Sequence, residues 1–441
     1  MRFFRQQRGR VNNFSARFES LESRLPFAGN ITADFHDGVL LLKGDDLGNG
    51  VLVKGTGVPN QVRVEGVFTN GAATLVNGLA APVIFNGVSQ SIVINTFKGD
   101  DDVVVESLRL EDDLIINTHA GNDTVTICDI GVCDNVEINT HEDDDIVTIG
   151  KYVPLIPDDD DDDEEVPPDE FRVDTEGELT PTEVPIYMAN NGYVSVDGSL
   201  IVNTGSGLDE FLAGLTFVDD DFIVHLEDGN DIASIYNGTA GKLFHFTAGA
   251  GNDMINVYYL SSFGDFIVDT GSGNDLWSHA ASANYKKTTI HTGSGIDYVA
   301  QVINNLWGDV HIDTGADGDT FIANNMLGKS NVTIFTGHGN DTLNILGSTA
   351  KKLHIDSGSD NDKLCLVYSA VEELFGVFGH GDDEVNLYGN LVKGKAFLDG
   401  GSKTDALDIL GNLFGSFQQV GFESITYLGK CAPEENGVEP G

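Results

Sequence analysis

The sequence predicts an all-β chain: a parallel β-helix, or solenoid, with about 22 residues per coil, about 13 coils and irregular terminal caps. Three observations carry this reading. A Thr-Gly-x-Gly-Asn-Asp turn recurs in phase, the residues on either side of it alternate apolar and polar, and Gly is abundant (53) while Pro is scarce (11). Tight turns between many short strands need that glycine content and exclude a collagen or a Pro-rich linker.

The phase is exact enough to number. With the second Gly of each turn, or its stand-in, as marker, the positions are Gly99, Gly121 and Asp143, then Gly207, Gly229, Gly251, Gly273, Gly295, Asp317, Gly339, Asp360 and Gly381. Successive markers differ by 22, except once by 64 and twice, at the end, by 21. A degenerate turn, GGSKTD, follows around Lys403. Five residues before the marker the chain is apolar from Ile94 and Ile116 through to Ile334 and Ile355. Seven before it stand Ile92, Leu114, Phe222, Phe244 and their equivalents, and four after it Val125, Phe211, Trp277 and theirs. Each coil therefore reads as a period-two strand, a Gly turn and a second period-two strand. The last third of each coil is variable and reads as loop.

One such strand pair cannot bury its apolar face alone, but stacked coils can, because each inward residue lies on its equivalent in the next coil. Thirteen coils at strand spacing make a rod of roughly 60 Å. A propeller would need four strands per unit, and a single glycine turn per repeat argues against that.

The chain divides by composition. Residues 1–29 are basic, with Phe14, Phe18, Leu21 and Leu25 at helical spacing before Pro26. Residues 30–93 form an irregular N-terminal β cap layer, with strands expected at Val39–Lys43, Gly50–Lys54, Gln61–Glu65 and Val83–Phe85. Coils occupy 94–150 and 199–405. Residues 151–198 are an acidic low-complexity insertion that includes eight consecutive acids, Asp158 to Glu165. Residues 406–441 are the closing cap and a polar tail.

Net charge is −46, against a small positive balance at the basic N-terminus. Such a body repels nucleic acid and anionic membranes and attracts cations. No apolar run is long enough for a transmembrane helix. Four cysteines are too few for a disulfide scaffold of this size; Cys128 and Cys133 are close enough in sequence to bridge, or to remain thiols. No Gly-x-Ser-x-Gly, His-Glu-x-x-His or P-loop occurs, and the eleven histidines form no ligand set. His225 and His291 share one strand phase with Asn117, Asn139, Asp269 and Asp313, which reads as a surface polar ladder.

The candidate metal ligands are the Asp residues two places after the marker: Asp101, Asp123, Asp145, Asp209, Asp231, Asp253, Asp275, Asp297, Asp319, Asp341, Asp362 and Asp383. Stacked carboxylates about 5 Å apart repel by about 1 kcal/mol per pair in bulk water and several at an effective dielectric near 20. Ca²⁺ with carboxylate and carbonyl ligands relieves that repulsion. The alternative is that each Asp caps its own turn and points to water. The Asn before it tolerates a left-handed backbone; Leu208 and Ile296 fill the same place, so its side chain is not a required ligand.

Two resemblances add to this. TGHGNDTLN (residues 336–344) resembles the calcium-binding nonapeptide of the repeats-in-toxin class, Gly-Gly-x-Gly-x-Asp-x-apolar-x, at every position but the first Gly. It implies that the Asp carboxylates and turn carbonyls bind Ca²⁺ between adjacent turns. The match covers less than half of each coil and is not repeated in tandem. FESLESRLPFAGN, residues 18–30, resembles the N-terminal tags of large surface proteins from planctomycete bacteria, the Leu-Glu-Pro-Arg-x-Leu-Leu type, with Ser23 in the Pro position. It implies export, with removal near Ala28.

The expected function is an exported, calcium-binding structural or adhesive repeat protein, secreted or at the cell surface, with calcium ions and cell-surface polysaccharide or other surface proteins as partners. The competing reading is a β-helix polysaccharide lyase or glycosidase, which is analogy at the level of fold. The best basic cluster for it is Lys286 and Lys287 beside Tyr285. An aromatic-lined groove would favour the enzyme; a uniformly polar face would favour the structural role.

Overall fold

The structure is a computed structural model describing residues 27–69, 72–150 and 192–428, and it is a parallel β-solenoid with no helix among them. The basic helical stretch expected before Pro26 lies outside the described residues, as does 151–191.

Each coil contributes a short strand, the glycine turn and a longer strand. Leu114–Asn117 pairs in parallel register with Ile92–Asn95 below and Val136–Asn139 above. After the turn, Thr124–Val132 pairs likewise with Asp102–Leu110 and Ile146–Ile149. The pattern repeats through Leu391–Asp399 and Asp405–Leu410. Stacking in this register makes each inward column continuous, so Ile94, Ile116, Ile138, Val202, Val224 and Phe246 lie directly on one another, all fully buried. Burying each such side chain stabilises by about 1.5–3 kcal/mol.

The long step between Asp143 and Gly207 leaves this register intact: Val136–Asn139 pairs directly with Leu200–Asn203. The coil resumes at Val194–Val196, which pairs with Ile130–Val132 below and Thr216–Val218 above. Val194–Val196 falls inside the span expected for the insertion, so the coil resumes before residue 199.

The last third of the coil differs from the expected loop. The second strand runs on through a left-handed bend at Ser107, Asp129, Leu215, Asn237 and Tyr259 (φ 52–58°) and then buries further residues such as Ile130 and Val132. From Ala281 onward the same bend divides the strand, as in Leu276–Ala280 and Ala283–Asn284. No single residue type makes this corner, so its period is hidden in the sequence. What repeats is a hydrogen bond: the N–H groups of Ser282, Ser348, Ser369 and Asn390 donate to Asn304, Ser369, Asn390 and Asn412 in the coil above.

At the N-terminus the expected strands appear as Val39–Lys43, Gly50–Gly55, Gln61–Gly66 and Val83–Asn86. Val39–Lys43 heads the first sheet and Gly50–Gly55 the second. Phe27–His36, Gln61–Gly66 and Val83–Asn86 pair antiparallel around them, which departs from the coil pattern. At the other end Leu413–Val420 and Phe422–Thr426 form the last layer, and Leu413, Phe417 and Ile425 are exposed there. Cys128 and Cys133 are free thiols rather than a bridge.

Candidate metal centre

The turn is built from two left-handed residues separated by one, as at Gly271 (φ 95°) and Gly273 (φ 130°). Glycine is needed at the second for space as well as torsion. A Cβ on Gly273 would lie 1.5 Å from the carbonyl oxygen of Gly251 in the coil below. Where the backbone is less demanding, Asp143, Asp317 and Asp360 take the marker place at φ near 80°.

This turn swings the following Asp inward, and all twelve predicted ligands come together in a single column. Their exposure is 0–3%. They do not point to water, and they do not cap their own turns. The backbone N–H of each Asp donates to Oδ1 of the Asp in the next coil: Asp101 to Asp123 at 2.8 Å, Asp253 to Asp275 at 2.9 Å, Asp362 to Asp383 at 2.9 Å, and so throughout. The reason is spacing: with the coils in register, each carboxylate lies level with the amide one layer down.

Three members of the ladder escape sequence reasoning. Asn49 heads it, its N–H donating to Asp101 at 2.6 Å. Asp405, the Asp of the degenerate GGSKTD turn, accepts from Asp383 at 3.0 Å. Glu423 closes it, accepting from Asp405 at 2.8 Å. Asp405 could have been found by counting two residues on from Lys403. Asn49 and Glu423 carry no turn motif to mark them.

The second oxygen is where the chemistry lies. Oδ2 of every Asp from Asp101 to Asp405 is buried and has no hydrogen-bond partner. Burial pushes these carboxyls up: to about 7 for Asp101, Asp231, Asp319 and Asp362, and to about 8 for Asp145. Asp123, Asp209, Asp253, Asp297 and Asp383 rise to about 6. The amide below opposes the rise, while the Thr hydroxyl five residues before the Asp donates to the backbone carbonyl one coil on, as Thr140 to Thr204 and Thr292 to Thr314, both at 3.1 Å. That explains the recurrent Thr three places before the marker. Neighbouring ladder carboxylates add to the rise. A buried carboxylate with one free oxygen demands a proton or a cation.

The Asn that precedes the Asp does separate work. Its exposed side chain accepts from the next coil in the opposite direction: Asn252 N–H to Asn230 Oδ1 at 2.6 Å, Asn274 to Asn252 at 2.7 Å, Ile296 to Asn274 at 2.7 Å. Each turn is thus tied downward by one side chain and upward by another.

Outside this column, the histidine phase forms the expected outward ladder, with Asn117 donating to Asn95, Asn139 to Asn117 and His225 Nδ1 2.6 Å from Thr247 Oγ1. Asp112, Asp113 and Asp134 bring oxygens within 4.8 Å of one another at a different corner. Tyr285, beside Lys286 and Lys287, stacks between Phe263 and Trp307, with ring centroids at 5.0 and 6.0 Å, and Lys329 Nζ sits 3.2 Å over Trp307. These rings cover one another's faces along the rod.

No family model and no curated protein matches the chain. Among solved structures, the chain is similar to "a hyperactive, Ca2+-dependent, beta-helical antifreeze protein from an Antarctic bacterium", with 17% identity and a TM-score of 0.40 over 76% of this chain and 84% of that one.

Proposed function

We propose that this chain is an exported, calcium-stiffened structural repeat protein of the cell surface, whose rod is held together by divalent cations along the Asp column. The observation that carries the reading is the unbroken line of buried, unpartnered Oδ2 atoms from Asp101 to Asp405. Calcium supplies positive charge and accepts several oxygen ligands without strict geometry. The residues fit that demand. Oδ1 holds the carboxylate in place through the amide below, leaving Oδ2 free as a ligand. Carboxylates lie above and below in the column, and acids of the same turn lie near it, such as Asp228 by Asp231 and Asp382 by Asp383; turn carbonyls would supply further ligands. Export rests on the N-terminal resemblance and on the net charge of −46. A structural role is favoured by aromatics that stack face on face along the rod.

The test is thermal unfolding of the chain with calcium and with EDTA, followed by β-type circular dichroism. Binding to the folded state alone raises the melting temperature. A large calcium-dependent rise is expected. No shift at about 10 mM calcium, at least tenfold above the Kd of about 10⁻⁴–10⁻³ M typical of extracellular sites, would show that protons alone neutralise the column.

A further inference from the structure

One long surface of the rod carries no charge. The outward positions of the second sheet between residues 232 and 346 comprise eighteen side chains over six coils, at 232, 234 and 236 and their stacked equivalents, and none is Asp, Glu, Lys or Arg. A chain that is 21% charged would place about four there, and more on a solvated face. Instead the surface presents Ile232, Met254, Tyr258, Tyr298, Ile322 and Leu346, with Ile232 46% and Met254 43% exposed. The turn flanking it is uncharged at its outermost residue over the same coils, from Asn230 to Asn340, whereas Asp100, Asp144 and Asp382 hold that place nearer the ends. Loss of charge with gain of Tyr and Met marks the centre of a protein interface.

We infer that this face is the contact between two copies of the chain, packed sheet on sheet about a two-fold axis perpendicular to the rod. Two features choose a second copy. The first is charge. The column that runs through Ile232, Met254, Leu276, Tyr298, Thr320 and Thr342 is bounded by Glu210 one coil before and Lys363 one coil after. An antiparallel pair centred on the neutral stretch sets Glu210 of each copy against Lys363 of the other, twice. A parallel pair sets like against like. Elsewhere, two bodies of net charge −46 repel, so this is the surface on which they can approach. The second is area. Six coils by five strand residues make a patch of about 29 by 17 Å, so a pair buries about 1,000 Å² in total, the lower bound for a specific interface. The end pairs set register more than affinity.

The test is sedimentation equilibrium of the whole chain in calcium at physiological salt, where folding is secured separately by its melting curve. A dimer dissociating at micromolar concentration is expected, near the affinity a small interface supports. Ile232→Lys and Met254→Lys replace the two exposed large apolar side chains of the face, and each should give a monomer with a melting temperature within a few degrees of the parent. Glu210→Lys should weaken the dimer about tenfold, and Glu210→Lys with Lys363→Glu should restore it. A monomer at about 100 µM, where a contact of this size should form, overturns the inference, including the case of a different occupant for the face. So does a dimer that survives both lysine variants, and a double charge swap that fails to restore association overturns the antiparallel arrangement. Because each protein's melt is also recorded in EDTA, failure of the calcium reading appears as an absent calcium shift, separately from the state of association measured in calcium.

Discussion

Raising the pH of the calcium-free chain from about 4 to about 8 should unfold it. Ten ladder carboxyls stand at about 6, 7 or 8 in the folded chain against 3.8 unfolded. The folded state therefore holds protons that the unfolded state has released, and stability is lost as pH rises through that interval. One site at 6 contributes about 3 kcal/mol of that loss and one at 8 about 6 kcal/mol. Neighbours titrate as a coupled column rather than singly. A third of the mean effect over ten sites is still about 13 kcal/mol, comparable with the whole stability of an ordinary domain. In calcium the sign reverses, because ion binding needs the ionised form and releases the proton. The assay is chemical denaturation followed by circular dichroism at half-unit pH steps, in EDTA and in calcium. Opposite slopes are expected. A flat or rising profile in EDTA would refute the reasoning, since it would mean the carboxylates are already satisfied when ionised.

Other substitutions read single elements of the design. Asp253→Asn keeps an oxygen for the amide of Asp231 and removes the charge; it should raise the melting temperature in EDTA and shrink the rise that calcium gives. Gly273→Ala must displace the Gly251 carbonyl from a contact of 1.5 Å and should cost more than about 2 kcal/mol, read from the urea midpoint. Trp277→Ala empties a fully buried site against Phe246 and Phe266 and should cost about 3–5 kcal/mol. Asn304→Ala removes the acceptor for the Ser282 amide and the donor to Gln301 and should cost about 1–3 kcal/mol, with hydrogen exchange at Ser282 accelerated.

The glycine turn and the apolar columns were legible because each has a strict chemical demand. Left-handed torsion selects Gly at 271 and 273, and core contact selects Ile, Val or Phe at 94, 116 and 246. The second corner was not legible, because a bend at φ near 55° accepts Ser107, Leu215, Tyr259 and Ile303 alike. The composition of its neighbour, Ser or Asn at 282, 304, 348, 369 and 390, was the available signal, and it is diluted by Met326 in the series. The direction of the Asp side chains was likewise hidden. Period two fixes the face of a strand residue, but Asp101 and its equivalents stand in the turn, where only the torsions of the two preceding left-handed residues decide the outcome.

Several side-chain ladders tie each coil to its neighbours, and comparing three of them bears on why one is acidic. The Asn ladder at the turn tip and the Ser/Asn ladder at the second corner satisfy amides with neutral oxygens. The inner ladder performs the same task for the amides of Asp101 to Asp383, yet uses a carboxylate at every coil. Geometry does not require it, since Asn390 satisfies the Ser369 amide from the coil above at 2.8 Å. As a hydrogen-bond acceptor alone, a buried carboxylate is the costlier choice, because its second oxygen is left without a partner and its charge without an opposite. A group that is dearer than its neutral equivalent in the dry interior, and present thirteen times in line, supports the proposal of divalent cations, which use the charge. A proton would be served as well by an amide in its place; a divalent cation would not.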